Sequence, residues 1–168
     1  MGIRYYAYPV LADDIALARQ NPLDYMNNNP IVDHDDPDDD RLVLELDKSW
    51  QYFQRLFVWP HRYPDDPCLK LVQGEVQYPN GYAEGYRCHY AVLEPSEIAE
   101  IALWITHVDK VDVLAMFLAS ERWRGRMDDE AADRLREDVS YVGHYLEKAK
   151  EFTARTAAAG HGVVYRIG

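Results

Sequence analysis

The adjacent residues Asp47 and Lys48 are the side chains of this sequence whose types and positions could best support chemistry. They follow the strand-like segment that ends at Leu46, and Trp50 comes two residues later. A carboxylate and an amine can act as general base and nucleophile if folding brings a histidine such as His89 beside them. One hypothesis is therefore a small hydrolase or transferase with its site near Asp47, Lys48 and His89. A lysine in this setting more commonly pairs with a nearby carboxylate or carbonyl group.

An acidic segment upstream offers a second kind of chemistry, because carboxylates are the ligands that Ca²⁺ prefers. Its acidic residues are Asp33, Asp35, Asp36, Asp38, Asp39 and Asp40. An EF-hand that started at Asp36 would need glycine at its sixth position, where the sequence has Arg41, and the residues from Leu42 onward resemble a strand. We therefore interpret residues 27–40 as a polar, solvated loop.

Other catalytic and metal-binding patterns are missing from the sequence. It contains no G-x-S-x-G motif, and the glycines at 81 and 85 lack the Lys-Ser/Thr pair of a phosphate-binding loop. Its six histidines show neither the H-x-x-x-H spacing nor a His–Cys pair at metal spacing. We predict neither a metal site nor a cofactor.

Tyrosine and tryptophan are unusually abundant, with 13 and four residues respectively. Filling of the core accounts for most of them. Aromatic side chains also dominate protein-binding hot spots, because they provide a large contact area at a low entropy cost. Tyr82, Tyr86 and Trp59 are the candidates for an exposed contact patch.

Charge and composition narrow the class of protein. The net charge of −11 argues against nucleic acid as a ligand and favours a basic protein partner. With 168 residues, 48% of them hydrophobic, the chain is expected to form one domain over residues 1–168. No apolar run reaches the roughly 18 residues of a membrane span, and no signal-peptide pattern opens the chain, so a cytoplasmic location is expected. Cys68 and Cys88 are then expected to be free thiols.

The periodicity of apolar residues predicts the secondary structure. Strands are expected at residues 3–10, 69–77, 86–93 and 163–167, and helices at 11–19, from Asp47 to about Val58, after Pro95, and from Asp128 to near Gly160. Asp47 is expected to cap the helix that carries Trp50. An apolar stripe of Val111, Leu114, Ala115 and Leu118 predicts a further helix. The pattern is that of an α+β domain with a small mixed or antiparallel sheet covered by several helices.

Four segments resemble the YfbM-like family, a group of small bacterial proteins whose domain has no established function. They are the opening strand Met1–Tyr8, the motif Leu46-Asp47-Lys48-Ser49-Trp50, the stretch from Gly81 to Ile98, and the final strand Gly160–Tyr165. The acidic insert near residue 35 and the segment Leu56–Pro60 depart from the family pattern. The resemblance implies the fold and marks Asp47, Lys48 and Trp50 as motif residues, but it implies no activity.

Two functional hypotheses follow from the sequence. The first is a cytosolic, non-catalytic protein-binding module, whose partner could be a basic or toxin-like protein that it neutralises. Its candidate contact residues are Asp35, Asp36, Asp38, Asp39, Asp40, Trp59, Tyr82 and Tyr86. The second is the small hydrolase or transferase near Asp47, Lys48 and His89. We favour the binding module because it requires none of the catalytic motifs that are missing.

Deletion of residues 33–40 should leave the domain folded, because this segment has little apolar surface to bury. Urea denaturation followed by circular dichroism tests this expectation, and an unfolded deletion variant would show that the segment is structural.

Overall fold

A four-stranded antiparallel sheet organises the chain in the computed structural model, which describes residues 2–33, 42–58, 65–120, 122–123 and 128–168. The strands are β1 (Tyr5–Val10), β2 (Leu44–Asp47), β3 (His89–Leu93) and β4 (Gly162–Ile167), and their order across the sheet is β2-β1-β4-β3. The central strands β1 and β4 are therefore far apart in the sequence, while β2 and β3 form the edges.

Six α-helices are present within the described residues. They are α1 (Ile15–Gln20), α2 (Pro22–Asn27), α3 (Trp50–Phe57), α4 (Pro95–Ile105), α5 (Lys110–Ala119) and α6 (Asp129–Ala158). Short 3-10 helices cover Ala12–Asp14, Pro67–Leu71 and Tyr82–Glu84. In the described part of the chain, none of the helices is long and apolar enough to cross a membrane.

The main core lies between one face of the sheet and the helices α3 to α6. Helix α6 packs against both α4 and α5, and α3 packs against α5. The sheet contributes alternate residues to this core, as expected when one face of a strand is buried. The buried residues include Tyr5, Leu44, Leu46, Val163, Tyr165 and Ile167. The opposite face packs against α1 and α2 through a smaller cluster around Val10, Ile15 and Val164.

The prediction of an α+β domain with a small sheet under several helices is confirmed, and the sheet is purely antiparallel. Several helix ends also agree with their sequence signals. Pro95 occupies the first turn of α4, and the Asp128 carboxylate accepts a 2.7 Å hydrogen bond from the backbone N–H of Ala131 at the start of α6. Gly160 has a φ of +68° just beyond the end of α6, a conformation that favours glycine.

Three local predictions were wrong. Asp47 does not cap α3, because the cap position belongs to Ser49 and neither residue makes a side-chain cap bond there. The strand predicted at 69–77 is instead a 3-10 helix over Pro67–Leu71, followed by a single bridge between Gln77 and Arg87. The segment predicted as one helix at 11–19 is divided, and Pro22 begins a second helix that the sequence reading missed.

The apolar stripe assigned to α5 from the sequence lies on the solvent side of that helix. The residues of α5 that enter the core are Val113, Met116 and Phe117, whereas Val111, Leu114 and Leu118 are exposed. Periodicity could not choose between the two faces, because both are apolar.

Alanine in place of Gly162 should lower the free energy of unfolding by about 1–3 kcal/mol. Its Cβ would lie 2.4 Å from the backbone oxygen of Leu93, which cannot move without disturbing the β3–β4 pairing. The matched control is Gly143→Ala, whose Cβ would approach only the movable Lys110 side chain. This control should be neutral or stabilising by up to about 1 kcal/mol, because alanine is the better helix former. Equal urea midpoints for the two variants would contradict the argument.

Candidate functional site

The motif residues Asp47, Lys48 and Trp50 lie where β2 turns into α3, and each has a different environment. Asp47 is the last residue of β2 and has a φ of +47°, in the left-handed region that residues other than glycine seldom occupy. The backbone N–H and the hydroxyl of Ser49 both donate to the Leu46 carbonyl, at 2.9 and 2.6 Å, and close this turn. Trp50 is buried in the main core, whereas Lys48 is exposed.

The Asp47 carboxylate links the edge of the sheet to the long helix α6. Its Oδ2 accepts a 2.8 Å hydrogen bond from the hydroxyl of Tyr141, and its Oδ1 lies 3.6 Å from Nε of Arg4. Tyr141 is 94 residues away in the sequence, so this bond closes a long loop. Asp47 therefore links β2 to α6, and these contacts hold the residue in its unfavourable backbone conformation.

The tyrosines around Asp47 are kept in their neutral form. Burial, and then the hydrogen bond to the Asp47 carboxylate, raise the pKa of Tyr141 well above its usual value of 10.0. Burial also raises the pKa of Tyr145, and the negative charges of Asp47 and Glu45 act in the same direction. A neutral phenol donates to a carboxylate, whereas a phenolate would repel it.

His89 lies far from Asp47 and Lys48. Across the sheet, Asp47 pairs with Tyr5, Tyr5 with Ile167, and Ile167 with His89. Asp47 and His89 are thus on opposite edge strands, about 14 Å apart at the usual strand spacing. The His89 ring instead lies over Gly74 and 6.2 Å from the ring of Tyr165. The fold does not bring together the three residues of the enzyme hypothesis.

Two open clefts flank the motif. One, of about 440 Å³, lies between β2 and α6 and is lined by side chains of both charges, among them Glu45, Lys148 and Arg155. The other, of about 630 Å³, lies beside α3 and includes Trp50, Gln54 and Gly74. Among the residues that the structure describes, no three His, Cys, Asp or Glu side chains are grouped as a metal site would require.

The candidate patch residues Tyr82 and Tyr86 do come together, and Tyr78 joins them. The ring centroid of Tyr78 lies 4.2 Å from that of Tyr82 and 6.0 Å from that of Tyr86. Tyr82 is 84% exposed and Tyr86 42% exposed. We call residues 77–87, with these three rings, the tyrosine arm. Tyr78 was not predicted to join the patch, because its contacts with Tyr82 and Tyr86 depend on how residues 77–87 fold back on themselves.

The base of the tyrosine arm is held by backbone pairing and by fixed neighbours. Gln77 and Arg87 exchange two backbone hydrogen bonds of 3.1 and 2.8 Å. Just before the arm, the Gln54 amide donates to the carbonyls of Val72 and Gly74, at 2.6 and 2.7 Å. The other candidate contact residues, Asp35, Asp36, Asp38, Asp39, Asp40 and Trp59, lie outside the described residues.

Phenylalanine in place of Tyr141 should lower the free energy of unfolding by about 1 kcal/mol at neutral pH, because a hydrogen bond to a carboxylate is lost. The pKa of Tyr141 is raised on folding, so this stabilisation is fully present below about pH 10 and declines as the pH rises further. The difference between the wild type and Tyr141→Phe should therefore shrink in alkaline urea titrations.

The control for this test is the same substitution combined with Asp47→Asn. In a double-mutant cycle the two changes should be less than additive, because they remove the same bond. Full additivity, or a difference that grows above about pH 10, would contradict a link between Asp47 and Tyr141.

Comparisons with known proteins agree with the fold. A model of a domain of unknown function, DUF1877, matches residues 1–165. The crystal structure of YfbM from Escherichia coli, a protein of unknown function, superposes with a TM-score of 0.59 at 16% sequence identity, and the match covers 99% of this chain and 100% of that chain. A search of curated proteins found no match. The chain that carries the turn at Asp47 and the helix-covered antiparallel sheet therefore belongs to the DUF1877 family, as the resemblance to YfbM-like proteins implies.

Proposed function

We propose that this protein is a non-catalytic binding module that recognises a basic protein partner, with the tyrosine arm as its main contact surface. The observation that carries the proposal is the packing of three tyrosine rings on an exposed arm, with Tyr82 exposed over 84% of its surface. In this proposal the module acts in the bacterial cytosol, where binding could neutralise a basic enzyme or toxin.

The packed tyrosine rings favour binding because their mutual contacts reduce the entropic cost of ordering them. Tyr78 contacts both Tyr82 and Tyr86, so the exposed rings are already restrained before a partner arrives. Side chains that are ordered in advance lose less conformational freedom on binding. Tyrosine also combines an apolar ring with a polar hydroxyl, and it is enriched among the residues that dominate binding energy.

The charge of the chain favours a basic partner. The net charge is −11, and the exposed Glu84 lies within the tyrosine arm, while the exposed Glu75 precedes it by two residues. Arg87 lies at the base of the arm and is the only exposed cation within residues 75–87 of the described structure. Negative charge around an aromatic contact raises the rate at which a basic protein associates.

The enzyme hypothesis receives less support from the geometry. The Asp47 carboxylate is engaged by Tyr141 and Arg4, and His89 is on the opposite edge of the sheet. A general base must lie within hydrogen-bond reach of the group that it activates. We therefore place the binding module first.

Affinity capture with the purified protein as bait tests the proposal. The double variant Tyr82→Ala/Tyr86→Ala should lose the partner that the wild type retains, because both exposed rings are removed. Leu17→Ala is the matched control, since Leu17 is an exposed apolar residue on α1, outside the tyrosine arm. Helix α1 packs against the sheet through the smaller cluster around Val10, Ile15 and Val164. Equal recovery of a partner by the wild type and the double variant would contradict the proposed contact surface.

Binding kinetics with the recovered partner should separate charge from aromatic contact. The association rate should fall as salt is added, and charge reversal within residues 35–40 should have the same effect. Alanine at Tyr82 or Trp59 should mainly increase the dissociation rate. An association rate that does not depend on salt, with unchanged dissociation in both variants, would exclude this mechanism.

A further inference from the structure

Helix α5 is apolar on two opposite sides, and only one of them packs against other described residues of the chain. Val113, Met116 and Phe117 enter the core, where the ring of Phe117 lies 5.1 Å from that of Tyr52 on α3. The exposed residues of the opposite side follow the spacing i, i+3, i+4, i+7 and form what we call the outer stripe: Val111, Leu114, Ala115 and Leu118.

The outer stripe is a continuous apolar surface, unlike a few scattered surface side chains. Val111 is 70% exposed, Leu114 37% and Leu118 43%. Together with Ala115 they present roughly 300 Å² to solvent, which is within the size range of patches that are often functional. A helix that is apolar on all sides is normally buried on all sides. We therefore expect another molecule to bury the outer stripe, because no described residue of the chain itself does so.

The outer stripe is uncharged along its whole length. The two charged residues of α5, Lys110 and Asp112, are both in its first turn. The Lys110 stem runs beside Gly143 on α6, and the Asp112 carboxylate accepts a 2.9 Å hydrogen bond from the backbone N–H of Asp109. Neither of these interactions directs a charge onto the outer stripe.

This lack of charge favours a second copy of the chain as the cover. Two molecules that each carry a net charge of −11 repel one another, and an uncharged face is where they can approach at the least cost. A basic partner, in contrast, would gain no electrostatic attraction at the outer stripe. The pattern is also complementary to itself, as an interface across a two-fold axis requires.

We propose that the protein forms a homodimer in which α5 packs antiparallel against α5 of a second copy, across a two-fold axis near Leu114 and Ala115. This arrangement places Val111 of one protomer beside Leu118 of the partner subunit. It also places Leu114 beside Ala115 of the partner subunit, so that a large side chain meets a small one. The antiparallel orientation aligns the two helix dipoles favourably.

The size of the outer stripe sets the expected strength of the dimer. A standard interface buries about 800 Å² per partner, so the outer stripe would form the apolar centre and neighbouring polar residues the rim. We expect a dimer that dissociates on dilution, with a dissociation constant on the order of micromolar. The proposal uses none of the residues of the tyrosine arm and does not rest on the proposed function.

Analytical ultracentrifugation of the full chain, from nanomolar to high micromolar concentration, tests the dimer. The wild type should be dimeric at the upper end, and Leu114→Asp should raise the dissociation constant by at least about tenfold. Leu17→Asp is the matched control and should dimerise like the wild type, because Leu17 lies on α1 and is 52% exposed. Equal thermal unfolding curves for the two variants at low concentration would show that the loss of the dimer is not a loss of fold.

A wild type that remains monomeric at high micromolar concentration would overturn the proposal, as would a Leu114→Asp variant that dimerises normally. Ala115→Cys tests the geometry, because the two introduced thiols near the axis should form an intermolecular disulfide on mild oxidation. Failure of this disulfide to form in a dimeric variant would exclude the antiparallel arrangement. Added salt should tighten the dimer by screening repulsion, whereas it should weaken the binding of a basic partner, so the two proposals can fail independently.

Discussion

The need to satisfy two buried tyrosine hydroxyls determines how the rest of the chain is arranged around the sheet. Tyr5 on β1 and Tyr165 on β4 are stacked with ring centroids 5.3 Å apart, and both are almost fully buried. The Tyr5 hydroxyl donates to the Leu71 carbonyl at 2.6 Å, and Tyr165 bonds to the carbonyls of Lys70 and Gln73, at 3.0 and 2.7 Å. A buried hydroxyl without a partner is costly, so the segment after α3 must return to the centre of the sheet.

This constraint also positions the tyrosine arm. Tyr165 holds the chain at Gln73, and the Gln54 amide of α3 holds it at Val72 and Gly74. The arm leaves this anchored segment and rejoins the sheet at His89 in β3. Its two ends are therefore fixed by the core, while its rings project into solvent. A rigid base under an exposed aromatic cluster is a common arrangement for a recognition surface.

The elements that the sequence predicted correctly are those with local signals. Pro95, Asp128 and Gly160 mark helix ends because caps and backbone preferences act within a few residues. Asp47 carries the same kind of signal, but its carboxylate bonds to Tyr141, 94 residues away, and no local pattern reveals a partner at that distance. Likewise, the residues at 69–77 alternate like a strand. The hydroxyls of Tyr5 and Tyr165, however, bond to carbonyls of this segment, and part of it forms a 3-10 helix.

In the candidate site too, features that depend on nearby residues could be predicted, and features that depend on contacts between distant segments could not. The abundance of tyrosine pointed to Tyr82 and Tyr86, which do share an exposed cluster, but the membership of Tyr78 depends on how the arm folds back. The grouping of Asp47 with His89 was an assumption about distant contacts, and the order of the strands places these two residues on opposite edges. For α5, the apolar stripe identified from the sequence is the exposed one, and the packing of α3 and α6 against this helix buries the other face.

The strand order β2-β1-β4-β3 has a consequence for the order of events in folding. β1 pairs with β4, a strand that follows it by about 150 residues, and β2 pairs only with β1 among the described strands. During synthesis, β1 and β2 can form at most a two-stranded ribbon, which is marginally stable in water, until β4 has left the ribosome. The helices can form early because their contacts are local, whereas the sheet closes last. A chain of this design therefore leaves β1 and β3 without their central partner until β4 is available to insert between them.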